Sequence, residues 1–263
     1  MEHVEELLKR MNLQKKMENS TIVSATKSSK CSICDGIGWI YELNEYPHRC
    51  TCINDYLAEK KNEKIKELFS EAYSDYTFDN FKIEDEYQKR MKQKAVEFVK
   101  AKGINSILLL GQSGSGKTHL AVSIAKVLLD RGAWIELMPY TEDMIYIKQN
   151  MIEKEQYQKK MYKYKNCNYL IIDDFLKNTV RGNTVNEKDF GIIYEIIDYR
   201  YKYKKPVIIT SEYFIDHMFK LNESIAGRLK EMVTQNGYNF LVQISNKEGR
   251  NYRMRGMEKI WLN

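Results

Sequence analysis

The sequence contains no apolar run close to the roughly 20 residues that a helix needs to cross a membrane. Its first six residues, Met1 to Glu6, include three acidic side chains and no apolar stretch of the kind that a secretory signal requires. We therefore expect a cytoplasmic protein without a membrane partner. Hydrophobic residues nevertheless make up 43% of the 263 residues, which is close to the globular norm and allows a sizeable core.

The net charge of +6 is unevenly distributed along the chain. Residues 1–70 carry 11 basic and 11 acidic side chains, so the whole excess lies in the remainder. A basic excess suits a nucleic-acid partner, although a mild excess over a whole domain is usually an ordinary solvated surface. The length leaves room for a small module and a larger domain, which we place at 1–70 and 71–263.

The most specific pattern in the chain is a phosphate-binding loop. Eight consecutive residues fit G-x-x-x-x-G-K-[ST] between an apolar run at 106–110 and a helical stretch at 119–129. In this context the glycines let backbone N–H groups surround phosphates, and the helix N-terminus adds a favourable field. We expect Lys117 to contact the β- and γ-phosphates of ATP and Thr118 to bind Mg²⁺. The predicted nucleotide-binding residues here are Gly111, Gln112, Ser113, Gly114, Ser115, Gly116, Lys117, Thr118 and His119.

Four of the five cysteines form two close pairs, Cys31 with Cys34 and Cys50 with Cys52, with 15 residues between the pairs. Disulfides are disfavoured in a cytosolic chain, so this spacing predicts a tetrahedral zinc site. The metal would be structural, because so short a segment has too little core to fold alone. His48 is an alternative to one of the thiolates. A redox C-x-x-C is the competing interpretation, and it leaves the second pair unexplained.

A second nucleotide motif lies at 169–175, where four residues, Tyr-Leu-Ile-Ile, precede two aspartates. The continuous apolar run predicts a strand that is buried on both faces of a parallel sheet. Asp173 would bind Mg²⁺, and Asp174 would orient or deprotonate the attacking water. Two aspartates can also mark an ordinary strand exit, but the nearby phosphate loop favours the catalytic interpretation.

Three further runs predict strands at 133–138, 206–211 and 240–244, which completes a five-stranded parallel sheet with helices between the strands. We expect the strand at 206–211 to lie between the two motif-bearing strands. Its polar end would then face the γ-phosphate, so Thr210, Ser211 and Glu212 are candidates for sensing it.

Other segments carry weaker predictions. Aromatic residues at 76–81 could form a wall for the adenine base, although plain core packing is the alternative. Local patterns also predict a helix over 1–20, a helix over 53–72, a helix capped by residues 141–143 and a polar loop over 176–186.

Two segments interleave cations with aromatic rings, at 159–165 and 199–205. Such mixtures bind single-stranded DNA through phosphate attraction and base stacking. Exposed helix ends give the same pattern without binding DNA, since cations also favour the carbonyl terminus of a helix. Both segments are therefore candidates for DNA contact.

Taken together, the cysteine pairs, GQSGSGKTH, YLIIDDF, PVIITSEY, SIAGRLKEM and GRNYRMRG resemble the AAA+ ATPases that load replicative helicases, such as DnaC, DnaI and their transposition relative IstB. The resemblance covers residues 76–255 and, more loosely, the cysteine region. It implies an α/β AAA+ P-loop NTPase domain and an N-terminal module that grips the hexameric helicase. It also implies binding of single-stranded DNA and self-association, with Arg228 as an arginine finger and Arg253 as a second sensor arginine.

The sequence also departs from that family. Glu212 stands where the sensor strand often ends in Asn, and Asp174 stands where many AAA+ proteins have Glu, which favours slow turnover. Only 19 residues follow the last predicted strand, so we expect a reduced or absent helical lid. These departures support an alternative, a nucleotide-gated adaptor with little turnover. A transposition helper is the nearest other function, and a small-molecule kinase explains neither the cysteines nor Arg228.

Overall fold

A computed structural model describes residues 31–34, 39–40, 48–69, 71–101, 105–181, 184–247 and 251–252. The chain divides into two compact units, Met1–Lys64 and Ile65–Asn263. The helix predicted over 1–20 and the predicted sensor Arg253 lie outside the described residues. The module boundary that we placed near residue 70 stays a prediction.

The first unit contains a short antiparallel ribbon next to the cysteines. Its strands are β1 (Trp39–Ile40) and β2 (His48–Arg49). β2 leads directly into Cys50, and helix α1 (Thr51–Leu68) begins at the following residue. The ribbon and the helix therefore fix the backbone on both sides of the second cysteine pair.

Seven strands belong to the second unit: β3 (Ile107–Gly111), β4 (Ile135–Pro139), β5 (Tyr169–Asp173), β6 (Val180–Arg181), β7 (Thr184–Val185), β8 (Val207–Ser211) and β9 (Leu241–Ile244). Five of them form a parallel sheet in the order β4-β5-β8-β3-β9, which confirms the predicted fold class and the place of β8. β6 and β7 pair with each other as a hairpin inside the segment predicted as a polar loop.

The helices of the second unit cover this sheet. They are α2 (Glu86–Lys100), α3 (Lys117–Asp130), α4 (Tyr140–Gln149), α5 (Lys154–Asn166), α6 (Glu187–Lys202), α7 (Ile215–Leu221) and α8 (Glu223–Val233). Every residue of β3 and β8 is buried, as expected for central parallel strands with both faces covered. Phe98, Ile124, Ile196 and Leu229 bring α2, α3, α6 and α8 into the same core. Burying each such side chain contributes about 1.5–3 kcal/mol.

Helix α4 begins earlier than its sequence pattern predicts. Pro139 precedes its first residue with φ −63°, and the ring of Tyr140 is buried. Thr141 therefore lies within the first turn instead of capping it. Proline is well suited to a helix start because its missing N–H would have no partner there. In the part of the chain that the structure describes, no helix is both long and apolar enough to cross a membrane.

Candidate nucleotide-binding site

The phosphate loop connects β3 to α3 and adopts backbone angles that require glycine. Gly111 and Gly114 have φ values of 118° and 70°. A Cβ atom on Gly111 would lie 2.0 Å from the carbonyl oxygen of Ile244 in β9. At Gly114 it would lie 1.9 Å from Oδ1 of Asn251. The loop therefore packs closely against two other segments: backbone atoms leave no room for a side chain at Gly111, whereas at Gly114 the side chain of Asn251 would have to move.

Lys117 is the first residue of α3 and is 5% exposed. Its Nζ donates hydrogen bonds to the carbonyl oxygens of Gly111 and Gln112 at 2.9 and 2.8 Å. The ammonium group is thus held inside the loop, next to the positive end of the helix. Both features favour an anion at this position.

A partly buried carboxylate, that of Asp173, joins the ends of three elements. Oδ1 of Asp173, at the end of β5, accepts hydrogen bonds from Oγ1 of Thr118 in α3 at 2.9 Å and from Oγ1 of Thr210 in β8 at 2.6 Å. Burial raises the pKa of Asp173, and the hydrogen bond from Thr210 opposes that rise. Hydroxyl and carboxylate oxygens are ligands that Mg²⁺ prefers, so Thr118 and Asp173 fit the ion.

Strand β5 ends at Asp173, two residues before the predicted end, because Asp174 turns the backbone to φ 56°. The N–H of Asp174 donates to Oγ1 of Thr210 at 2.9 Å, and the N–H of Phe175 donates to the carbonyl oxygen of Thr210 at 2.8 Å. The carboxylate of Asp174 lies 2.6 Å from Nζ of Lys177. Thr210 therefore sets the positions of both aspartates.

A cavity of about 390 Å³ joins these groups. Its walls come from the phosphate loop, from both aspartates and from an aromatic side; the lining residues include Ser113, Gly114, Ser115, Gly116, Lys117, Thr118, His119, Asp173, Asp174, Glu212, Tyr76, Phe81 and Tyr252. Glu212 is exposed at its edge. Ser211 is buried and donates to the carbonyl oxygen of Phe175, so its hydroxyl supports the backbone and does not face the cavity.

His119 attaches the aromatic segment to α3. Its ring stacks on Tyr76 with centroids 4.3 Å apart, and the ring of Phe81 meets it edge-on at 5.2 Å. Its Nε2 lies 2.8 Å from the carbonyl oxygen of Thr77. A carbonyl only accepts, so Nε2 carries the proton. The aromatic wall predicted for adenine therefore lies in the cavity, with His119 as its support.

We expect His119 to make the stability of the protein depend on pH. Burial lowers its pKa in the folded state. The unfolded chain then binds a proton that the folded protein does not, so stability is complete above the ordinary pKa of about 6.5 and falls as pH drops through the folded pKa. Thermal unfolding at about pH 7.5 and about pH 5.5 should show a larger loss for the wild type than for His119→Gln. An equal loss in both proteins would contradict this prediction.

The structure does not bring Arg228 into the cavity. This residue lies on α8, with its side chain 22% exposed, and its Nη2 is 3.0 Å from Oδ1 of Asp198. Its guanidinium also lies over the rings of Tyr194 and Tyr201, at 5.1 and 5.6 Å from their centroids. Nη1 donates to the carbonyl oxygen of Ser224 at 2.9 Å. Its contacts are thus with its own helix and with α6, and its role across an interface stays a prediction.

The two cation-aromatic segments are only partly available to DNA. Arg200 is fully buried and donates to the carbonyl oxygens of Tyr164, Cys167 and Pro206 at 2.7, 3.2 and 2.6 Å. It therefore holds together the segments that precede β5 and β8, which is a structural role. Tyr162 and Tyr203 remain 62% and 63% exposed.

Four sulfur atoms of the first unit lie within 4.8 Å of one another, those of Cys31, Cys34, Cys50 and Cys52. The sulfurs of Cys31 and Cys50 are 3.7 Å apart, and those of Cys34 and Cys52 are 3.4 Å apart. Tetrahedral zinc with Zn–S bonds of about 2.3 Å requires sulfurs roughly 3.8 Å apart, whereas a disulfide requires about 2.05 Å. The cluster therefore fits a zinc ion.

Thiol chemistry in the cluster is also suited to metal binding. Hydrogen bonds from the backbone of Ile33 and Cys34 lower the pKa of Cys31 to about 7. Hydrogen bonding with Cys34 raises the pKa of Cys52. Thiolates are the form that binds a metal, so the backbone around the first pair favours the first deprotonation. The side chain of the alternative ligand His48 lies outside the described residues.

Comparison with known proteins places this site in a family. The model of the IstB-like ATP binding protein family matches residues 9–224, which is most of the chain. The chain belongs to this IstB-like family. The resemblance to the DnaC, DnaI and IstB group that the motifs indicated is thereby confirmed, and so is an ATP-binding domain of this type.

Relatives of this IstB-like chain include phage and replication proteins. It is 28% identical over 180 residues to the phage-like element PBSX protein XkdC of Bacillus subtilis, covering 68% of this chain and 60% of XkdC. It is 24% identical over 200 residues to the replicative helicase loader DnaC of Escherichia coli, covering 72% of this chain and 80% of DnaC. The chain spans about 60% of the length of the Bacillus subtilis relatives that it matches.

A solved structure shows the same fold. The crystal structure of the DnaC helicase loader superposes with a TM-score of 0.56 at 23% identity, covering 66% of this IstB-like chain and 99% of DnaC. Several cavity residues escaped prediction from the sequence, among them Tyr252 and Lys177. Tyr252 donates from its N–H to the carbonyl oxygen of Gly114 at 3.1 Å, and Lys177 pairs with Asp174. Lys177 lies outside every motif, and Tyr252 lies in GRNYRMRG but had no predicted role; both reach the cavity through irregular backbone.

Proposed function

We propose that this chain is an ATP-dependent loader that binds the replicative helicase and helps to place it on single-stranded DNA. The ATPase part is supported above all by the meeting of Lys117, Thr118, Asp173 and Asp174 around one cavity. The loader part is supported by the likeness to DnaC over most of both chains. Hydrolysis of ATP would give ADP and phosphate.

Each residue of the site has a chemical task in this proposal. Lys117 and the loop N–H groups would bind the phosphates, while Thr118 and Asp173 would hold Mg²⁺, which would supply positive charge that neutralises the phosphates. Asp174 orients the attacking water and accepts its proton. Because an aspartate reaches less far than a glutamate, we expect slow hydrolysis that a partner stimulates.

The partners are assigned to different parts of the chain. We assign the helicase contact to residues 1–70, whose cysteines would hold a structural zinc ion. Self-association would use Arg228, after its release from Asp198. Single-stranded DNA would contact the exposed Tyr162 and Tyr203 with the lysines beside them, but not Arg200.

The loader function is tested by mixing the purified protein with the replicative helicase of its host. Size-exclusion chromatography with light scattering is run with ATP, with ADP and without nucleotide. We expect a complex whose stoichiometry changes with the nucleotide. A folded, zinc-loaded protein that forms no complex under any of the three conditions would contradict the loader function.

A second candidate is a transposition helper, which the family match and the relatives among insertion-sequence ATP-binding proteins favour. Such a protein would act on a complex of duplex DNA with a transposase. The same chromatography with a cognate transposase and duplex DNA, in place of the helicase, distinguishes the two functions. Stable binding to the helicase alone favours the loader.

A steady-state ATPase assay with and without single-stranded DNA separates both from a nucleotide-gated adaptor with little turnover.

A further inference from the structure

The loop after β5 holds a lysine against the carboxylate that would orient the attacking water. Nζ of Lys177 lies 2.6 Å from Oδ2 of Asp174, and the side chains are 45% and 37% exposed. Both residues line the cavity that also contains Lys117 and Thr118. An ion pair at this place therefore faces the space where the γ-phosphate and the water are expected.

The backbone of this loop fixes the pair. Asp174, Leu176 and Asn178 have φ values of 56°, 68° and 61°, a conformation that residues other than glycine keep only when their surroundings hold them. Here Phe175 and Leu176 are buried. The N–H of Lys177 donates to the carbonyl oxygen of Asp174 at 3.0 Å, which closes a turn under the two side chains. The turn thus brings Asp174 and Lys177 close together in the backbone, which places their side chains within reach of each other.

We propose that Lys177 is a positioning residue that restrains Asp174 and slows ATP hydrolysis in the unpartnered protein. In the reaction the water oxygen bonds to the γ-phosphorus while the bond to the bridging oxygen breaks, and the water proton passes to Asp174. A carboxylate with one oxygen already bound to an ammonium group orients water less well. Lys177 therefore acts through Asp174, and this role rests on the proposed ATPase activity of the same site.

The ATPase activity of the full chain with Lys177→Ala tests this restraint. We expect kcat to rise about two- to five-fold, the scale that partly exposed ion pairs reach, with KM little changed. Lys177→Arg keeps the cation and should keep the slow rate of the wild type. Lys94→Ala is the matched control. Lys94 and Glu97 in α2 form an ion pair at 2.7 Å that also joins residues three positions apart, and each of the two side chains is 43% exposed. Lys94→Ala should leave kcat unchanged.

A second background separates restraint from phosphate binding. In an Asp174→Asn protein, Lys177→Ala should no longer raise kcat, because the carboxylate that it restrains is gone. A fall in kcat or a rise in KM for Lys177→Ala would identify Lys177 as a phosphate ligand and overturn the restraint. An unchanged kcat would overturn it as well. Failure of the proposed ATPase function would show a different result, in which the wild type hydrolyses ATP no faster than Lys117→Ala. If Lys177→Ala then hydrolysed ATP faster than both proteins, this result would still support the restraint.

Discussion

Lys117→Ala is expected to abolish productive ATP binding and to lower hydrolysis at least about 100-fold, the scale of losing one preorganised charge-stabilising group. The Nζ group of Lys117 is almost completely buried and lies inside the phosphate loop. Removing it takes away a cation at a place where solvent screens little, so the phosphates lose most of their compensating charge. Titration with a fluorescent ATP analogue and release of phosphate measure the two effects.

The control for this variant must remove one positive charge at a place that is distant from the loop. Lys94→Ala does so, since Lys94 pairs with Glu97 on α2 and does not line the cavity. Because Lys117 also bonds two loop carbonyls, thermal unfolding of each variant without nucleotide shows whether the fold survives. An ATP affinity that stays at the wild-type value in a folded Lys117→Ala protein would overturn the assignment of the nucleotide site.

The sequence predicted the site residues that lie at the carboxyl ends of the parallel strands. Continuous apolar runs identified β3 and β5, and the sheet order puts β8 between them, so their carboxyl ends meet at one edge. This is why Thr210 could be expected near Asp173 from the sequence alone. Its two hydrogen-bonding tasks, one to each aspartate, depend on the turn at Asp174 and could not be predicted.

Residues outside the regular elements were predicted poorly for physical reasons. Arg200 lies in a segment rich in lysine and tyrosine, which is typical of an exposed helix end. Its burial depends on carbonyl groups before β5 and β8 that converge only in the folded sheet. Lys177 reaches Asp174 through a turn with left-handed backbone at Asp174 and Leu176, and nothing in a polar segment indicates such a turn. A local sequence pattern does not show which distant segments meet in the fold or which residues adopt rare backbone angles.

Two ion pairs in the second unit are consistent with the slow ATP hydrolysis that we expect. Two separate ion pairs hold groups that the proposed chemistry would need, Asp174 with Lys177 and Arg228 with Asp198. The first lies in the cavity, and the second lies on α8 outside it. A partner that draws Arg228 from Asp198 and Lys177 from Asp174 would release both. Hydrolysis would then depend on assembly with a partner.

Removing the proposed zinc ion is expected to unfold the first unit, which contains the four clustered cysteines. Structural zinc contributes about 10–16 kcal/mol of apparent binding energy in zinc-finger peptides, which is comparable to the stability of a typical whole domain. The sulfurs of Cys34 and Cys50 are buried within the cluster, so losing either ligand leaves too few thiolates around the metal. We expect one zinc per chain in the wild type and none in Cys34→Ser, measured by metal analysis of the purified protein.

The control for the zinc prediction is Cys167→Ala, which removes a buried thiol of the second unit and should leave the zinc content unchanged. Limited proteolysis should then cut the first unit of Cys34→Ser rapidly, while the nucleotide-binding unit stays resistant because its sheet and core contain none of the four ligands. Comparing Cys52→Ser with His48→Ala decides which of the two completes the coordination. A wild type that contains no zinc, or a Cys34→Ser protein that retains it, would overturn the metal site, and the first unit would then have to hold its cysteine cluster through its short ribbon and helix alone.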